Sequence, residues 1–179
     1  MQQGVNIPHT IFHYRVRDDS IGGDNPFRWQ DVSSADIFSG KRVVVFSLPG
    51  AFTPTCSTYQ VPGFEAAYEK ILAQGIDEVY VLSVNDTFVM RKWMLDQQVK
   101  KIKFIPDGNG EFTRQLGMLV AKDNVGFGSR SWRYAMVVNN GVIEHWLEEP
   151  GREDNHGADP YGVSSAETVL TTLQQSPAN

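Results

Sequence analysis

The 179-residue chain carries a formal charge of −5, with 41% apolar and 21% charged residues, the make-up of one soluble globular domain spanning 1–179. Its tight basic groups are only Arg15/Arg17, Arg91-Lys92 and Lys100-Lys101, which argues against nucleic acid as a partner; no apolar run nears the ~20 residues of a membrane span, and residues 1–4 do not begin a secretory leader. The single cysteine rules out an internal disulfide, a CxxC pair and a cysteine zinc cluster, and suits a reducing compartment such as the cytoplasm.

Residues 10–17 read as a strand, with Phe12, Tyr14 and Val16 alternating against Ile11, His13, Arg15 and Arg17. Residues 42–48 and 78–84 enclose the continuous apolar runs Val43-Val44-Val45-Phe46 and Val79-Tyr80-Val81-Leu82. Such runs suit central strands covered on both faces. Residues 64–74 place Phe64, Ala67, Tyr68, Ile71 and Leu72 at helical spacing and stop at Gly75,. A second helix over 87–99 follows Asn85-Asp86, either of which suits an N-cap, and shows the stripe Phe88, Val89, Trp93 and Met94,. Residues 134–138 and 142–146 are β-rich runs joined by Asn139-Asn140-Gly141, a hairpin signal. Residues 149–162 read as a long surface loop. A terminal helix over 164–173 opens on the capping-box pattern Ser164-Ser165-Ala166-Glu167,, and 176–179 as a frayed end. A β-α-β unit followed by a hairpin and a terminal helix is the thioredoxin-like α/β fold, a central mixed β-sheet flanked by helices.

The strand over 42–48 leads into Pro49-Gly50-Ala51-Phe52-Thr53-Pro54-Thr55-Cys56-Ser57. Cys56 therefore lies just past a strand, where the next helix should start. In open α/β sheets ligands bind outside the carboxyl ends of strands, and the unpaired N–H groups of a helix N-terminus favour a thiolate, the nucleophilic form of cysteine. Pro54 biases Thr53 towards an extended backbone. The Thr53 hydroxyl, three residues before Cys56, can accept one hydrogen bond while donating another. Pro49 is rigid and has no N–H to compete. Pro62-Gly63, six residues on, is expected to end or kink the first helical turn.

The spacing Pro49-x-x-x-Thr53-x-x-Cys56 resembles the active-site motif of the peroxiredoxin family. The longer stretch through Ser57 resembles the subfamily of plant type II and bacterial hybrid peroxiredoxin–glutaredoxin proteins. Further matches are 83–90, 107–112 and 126–134, so the resemblance covers nearly the whole chain. It implies a catalytic set of Cys56, Thr53, Pro49 and Arg133, with Arg130 as the second candidate for the arginine. A guanidinium stays charged and donates in a fixed fork, so it can steady both a thiolate and a polarising O–O bond. The implied substrate is a hydroperoxide. The cycle is one-cysteine, since no second cysteine can resolve the sulfenic acid, and an external thiol reductant is needed: glutathione, glutaredoxin or thioredoxin. The chain ends soon after the terminal helix, so a glutaredoxin is expected to act in trans. No cofactor is implied, and the family forms homodimers or higher homo-oligomers. Phe52 and Phe127 are candidates for an apolar wall.

Other motifs carry less. Asp107-Gly108-Asn109-Gly110-Glu111 lacks the remaining ligands of a calcium loop and reads as a turn. Gly126-Phe127-Gly128 has no strand–turn–helix frame for a nucleotide. His9, His13, His145 and His156 are too scattered to suggest a metal site. Two rival readings are a redox sensor that passes oxidation on by disulfide exchange and a scaffold with an inert cysteine. Neither gives Thr53 and an arginine a task.

Overall fold

In the computed structural model, which describes residues 2–176, the chain opens on a hairpin of β1 (Ile11–Arg17) and β2 (Phe27–Ser33), a two-stranded sheet of its own. The short helix α1 (Ser34–Phe38) follows, started by a capping box in which Ser33 and Asp36 exchange hydrogen bonds,. Next comes β3 (Arg42–Ser47), buried at all six positions. After it lie a π-helical turn at Cys56–Gln60, helix α2 (Val61–Leu72), β4 (Glu78–Ser83), α3 (Thr87–Asp96), β5 (Lys103–Pro106) and α4 (Glu111–Gln115). A small pair, β6 (Leu119–Ala121) and β7 (Ser129–Ser131), precedes the hairpin of β8 (Tyr134–Asn139) and β9 (Val142–Glu148). Helix α5 (Ala166–Gln175) closes the order.

The main sheet runs β5-β4-β3-β8-β9, with β3, β4 and β5 parallel and the hairpin antiparallel. This is the mixed thioredoxin-like sheet the pattern predicts, and it explains the continuous apolar run on β3. Alternate residues feed two cores: Val44 and Phe46 join Phe64, Ile71, Trp93 and Leu173 on one face, while Val43 and Val45 join Phe12, Phe38 and Phe112 on the other. The Phe46 and Phe64 rings stack with centroids 3.9 Å apart, fixing α2 across β3; such a pair is worth about 1 kcal/mol beyond its buried area. The hairpin turn is as expected. Asn140 and Gly141 both have positive φ, 46° and 79°, the mirror-image turn that Asn-Gly favours.

Several elements differ from their expected form. Pro62 and Gly63 do not end the helix. Instead α2 continues back through the π turn, where the Val61 N–H donates to the Cys56 carbonyl, and Pro62 falls in the first turn of α2, where its missing N–H costs little. On α3 the cap is Asp86, whose side chain accepts from the Val89 N–H. Its buried stripe is Thr87, Met90, Trp93 and Met94, whereas Phe88 is 55% exposed and packs edge-on against Trp29. Helix α5 starts two residues later than expected. Ser165 caps it by accepting from the Thr168 N–H, while Ser164 donates to the Glu149 carboxylate, so no capping box forms. Buried Asp107 accepts from the N–H groups of Phe112 and Thr113, the turn chemistry read from its motif. Of the expected frayed end, 177–179 lie outside the described residues. Among the described residues no helix is long and apolar enough to cross a membrane.

Candidate active site

The turn that leaves β3 is pinned from two sides. Asn85, just past the end of β4, accepts from the Ala51 N–H at 3.0 Å and from the Ser83 hydroxyl at 2.6 Å. Within the turn, the Thr53 hydroxyl donates to the Gly50 carbonyl at 2.7 Å, and the Ser57 N–H donates to the Thr53 carbonyl at 3.0 Å. Phe52 holds φ at 65°, a left-handed conformation uncommon for a non-glycine residue and concentrated at functional sites. The chain then turns helical, and Cys56 stands at the start of the π turn with no exposed surface. Trp93 on α3 steadies this turn by donating its indole N–H to the Ser57 hydroxyl at 3.0 Å. Pro49, Thr53 and Cys56 are thus brought together on one short segment at the carboxyl end of a central strand.

Two arginines approach from the β7–β8 region, and they do different things. Arg130, on β7, donates from Nη1 to the Pro49 carbonyl at 3.2 Å and from Nε to the Phe127 carbonyl at 3.1 Å. Burial pushes its guanidinium below its ordinary value, and the negative charge of Cys56 opposes that shift. Arg133 lies deeper, only 2% exposed. Its Nη1 donates to Gln60 Oε1 at 2.8 Å and its Nη2 to Asp159 Oδ1 at 2.6 Å, while its buried Nε has no hydrogen-bond partner among the described residues. The resemblance puts Arg133 first and Arg130 second; Arg130 binds the Pro49 carbonyl before Cys56 and Arg133 binds Gln60 in the turn that Cys56 opens.

The same turn opens onto a cavity of about 220 Å³ whose lining includes Pro49, Thr53, Lys122, Phe127 and His156. Phe127 is therefore in the wall as expected. Phe52 is not: it is 49% exposed and lies 6.5 Å, centroid to centroid, from Trp93. Among the described residues no three His, Cys, Asp or Glu side chains gather as metal ligands do.

Residues 28–170 match the family described as Redoxin. A peroxiredoxin of Rhizobium etli is 60% identical over 174 residues, covering 97% of each chain. The chain belongs to the peroxiredoxin family. A hybrid peroxiredoxin of Haemophilus influenzae is 46% identical over 171 residues, 96% of this peroxiredoxin and 66% of that protein. The antioxidant protein of Plasmodium falciparum, a 1-Cys peroxiredoxin, has a similar structure with a TM-score of 0.89 at 33% identity, covering 97% and 99% of the two chains. This peroxiredoxin is accordingly an oxidoreductase of the thiol peroxidase type, with a single cysteine for that chemistry.

Sequence reading missed three contributors. Asn85 looked like a helix cap, because Asn and Asp share that role and its long-range contact leaves no local signal. Gln60 carries no local signal of its own, although it is fully buried beside Arg133. The segment 149–162, read as surface loop, folds back so that 156–159 wall the cavity. Its ends are tied by Glu149, which accepts from the N–H groups of Gly162, Val163 and Ser164.

A side chain at Gly50 would crowd the Arg130 guanidinium. A Cβ there would sit 2.5 Å from Arg130 Nη1 and 3.2 Å from Thr53 Cγ2. Gly50→Ala is expected to displace the guanidinium from the Pro49 carbonyl. The predicted result is a roughly ten- to hundredfold lower kcat/KM for peroxide with a melting temperature close to wild type, checked by steady-state kinetics and calorimetry.

Proposed function

We propose that this peroxiredoxin reduces hydrogen peroxide and alkyl hydroperoxides through Cys56, with Thr53, Pro49 and Arg130 completing the site. The observation that carries this reading is the convergence of the Arg130 guanidinium and the Thr53 hydroxyl on the turn before Cys56. The Thr53 hydroxyl already donates to Gly50, which leaves its lone pairs to accept the peroxide O–H. Arg130 donates to the peroxide oxygens and stabilises charge as it moves along the O–O bond. The Cys56 thiolate attacks the terminal oxygen, the O–O bond breaks, and the second oxygen leaves as water or an alcohol after taking a proton. Cys56 is left as a sulfenic acid. Pro49, buried and without an N–H, shields the sulfur from bulk water,. Arg133 is a positioning residue: by holding Gln60 it sets the π turn on which Cys56 sits.

The oxidised site is reset from outside. A thiol RSH condenses with the sulfenic acid, forming a mixed disulfide and releasing water; a second thiol takes R away as a disulfide and frees Cys56. Glutathione with glutaredoxin is the favoured reductant, with thioredoxin as the alternative. A reducing compartment such as the cytoplasm suits the single unpaired cysteine, and the family resemblance supports a homodimer. The test is steady-state peroxide consumption with glutathione alone, with glutathione and glutaredoxin, and with thioredoxin. Turnover is expected to rise most with glutathione and glutaredoxin together. A single stoichiometric oxidation that none of these donors reverses would favour the redox-sensor reading instead.

A further inference from the structure

The cavity beside the Pro49–Thr53 turn holds a charge that the peroxide chemistry does not use. Lys122, between β6 and the loop to β7, is only 7% exposed and lines this cavity. Among the described residues its ammonium has no carboxylate within ion-pair reach and donates no hydrogen bond. Its neighbour is an aromatic face: Nζ lies 5.6 Å from the centroid of the Trp132 ring. Trp132 is itself fixed, with its indole N–H donating to the Glu149 carbonyl at 2.7 Å. The other charged groups of the cavity are already spoken for. Asp159 pairs with Arg133 at 2.6 Å, and the His156 ring contacts the Glu153 carboxylate at 2.7 Å. Lys122 is thus the charge left unpaired at this cavity, open to an anion that enters it.

We propose that the Lys122 cavity is a subsite for the carboxylate of the small organic thiol that reduces Cys56. The inference rests on the external-thiol cycle proposed above. The cavity is bordered by Pro49, Thr53 and Pro54, so a molecule seated there lies beside the segment that leads into Cys56. Its volume of about 220 Å³ takes a cysteinyl or mercaptoalkanoate fragment and leaves the rest of a larger peptide thiol outside. A carboxylate on Lys122 orients the incoming thiol so that its sulfur meets the sulfenic sulfur. The new S–S bond forms as the sulfenic oxygen departs as water with the thiol proton. A carboxylate could equally arrive on the hydroperoxide, and the two sources are separable because they act in different half-reactions.

The test compares wild type, Lys122→Met and Lys122→Arg. Each is first oxidised with one equivalent of hydrogen peroxide, and sulfenic acid is followed by trapping and intact mass. It is then reduced with 3-mercaptopropionate or with 2-mercaptoethanol, a neutral thiol of similar size. Taking the ratio of wild type to variant separately for each thiol cancels their different intrinsic reactivities. The expected result is a loss of roughly ten- to hundredfold with 3-mercaptopropionate in Lys122→Met, the scale of one charge-assisted hydrogen bond. The loss with 2-mercaptoethanol should stay within about twofold, and Lys122→Arg should retain most of the wild-type rate. Oxidation by hydrogen peroxide should match in all three proteins. Equal losses with both thiols, or none with either, overturn the proposal. So does a loss confined to oxidation by a carboxylated hydroperoxide relative to a neutral one. Failure of wild type to form any sulfenic acid overturns the cycle and this subsite together, and is recognisable because it precedes the thiol step.

Discussion

Cys56→Ser is expected to abolish peroxide turnover, a loss on the order of 10⁶-fold, the scale seen when an enzyme's nucleophile is deleted. A serine hydroxyl is not ionised near neutral pH, and oxygen attacks a peroxide poorly, so nothing else in the turn can take over. Cys56 sits in the apolar core with no exposed surface, and placing a hydroxyl there costs about 1–3 kcal/mol unless it finds a partner. A modest fall in melting temperature is therefore expected, with the fold kept. The check is steady-state peroxide consumption beside intact mass with a sulfenic-acid trap. Trapped adduct should form on wild type and not on the variant. Turnover above about one hundredth of wild type in Cys56→Ser would mean that the peroxide reacts elsewhere, a result no indirect role for Cys56 could rescue.

Arg130→Gln is expected to lower kcat/KM for peroxide by about 10²–10³-fold, the range for losing one preorganised donor at a developing charge, with little change in melting temperature. Arg130 is partly exposed and its two hydrogen bonds go to backbone carbonyls of Pro49 and Phe127, so its loss leaves no buried charge behind. Arg133→Gln should behave the other way round. Its guanidinium is buried and binds Gln60 and Asp159, and losing these contacts should cost about 1–3 kcal/mol of stability with a smaller effect on kcat/KM. Both variants are measured by the same kinetics and by thermal melting. A larger kinetic loss in Arg133→Gln than in Arg130→Gln, at equal foldedness, would restore the arginine order first read from the sequence.

The two arginines show where sequence reading stops. The β3 run, the Asn140-Gly141 turn and the placement of Cys56 beyond a strand were legible because each depends on a short stretch and a strong local rule. The choice between Arg130 and Arg133 was not. Residues three apart in an extended chain point to opposite sides, and which side faces the cysteine depends on how β7 leads into β8. The smaller elements escaped for a related reason. β6 and β7 are three residues each and β2 is largely exposed, so none shows a clear period. On α3 the apolar set was right in kind but not in phase: Phe88 turned outward to meet Trp29, a contact with a strand remote in sequence. Lys122 carried no signal in the sequence, since its place beside Trp132 and residues 156–159 depends on how the chain folds back.

The π turn at Cys56–Gln60 has a consequence for how insertions and deletions are tolerated. A residue advances an α-helix by about 100°, and a π turn absorbs one extra residue within a single turn. The segment therefore acts as a spacer in angle: Phe64 and Ile71 of α2 keep their grip on β3 while Cys56 is set at its own azimuth. Removing one residue between 57 and 60 would let the turn relax to a regular helix. Cys56 would then keep nearly its present azimuth relative to the anchored α2, whereas forcing all five residues into a regular helix would turn it by about 100°, away from the Thr53 hydroxyl and the Arg130 fork.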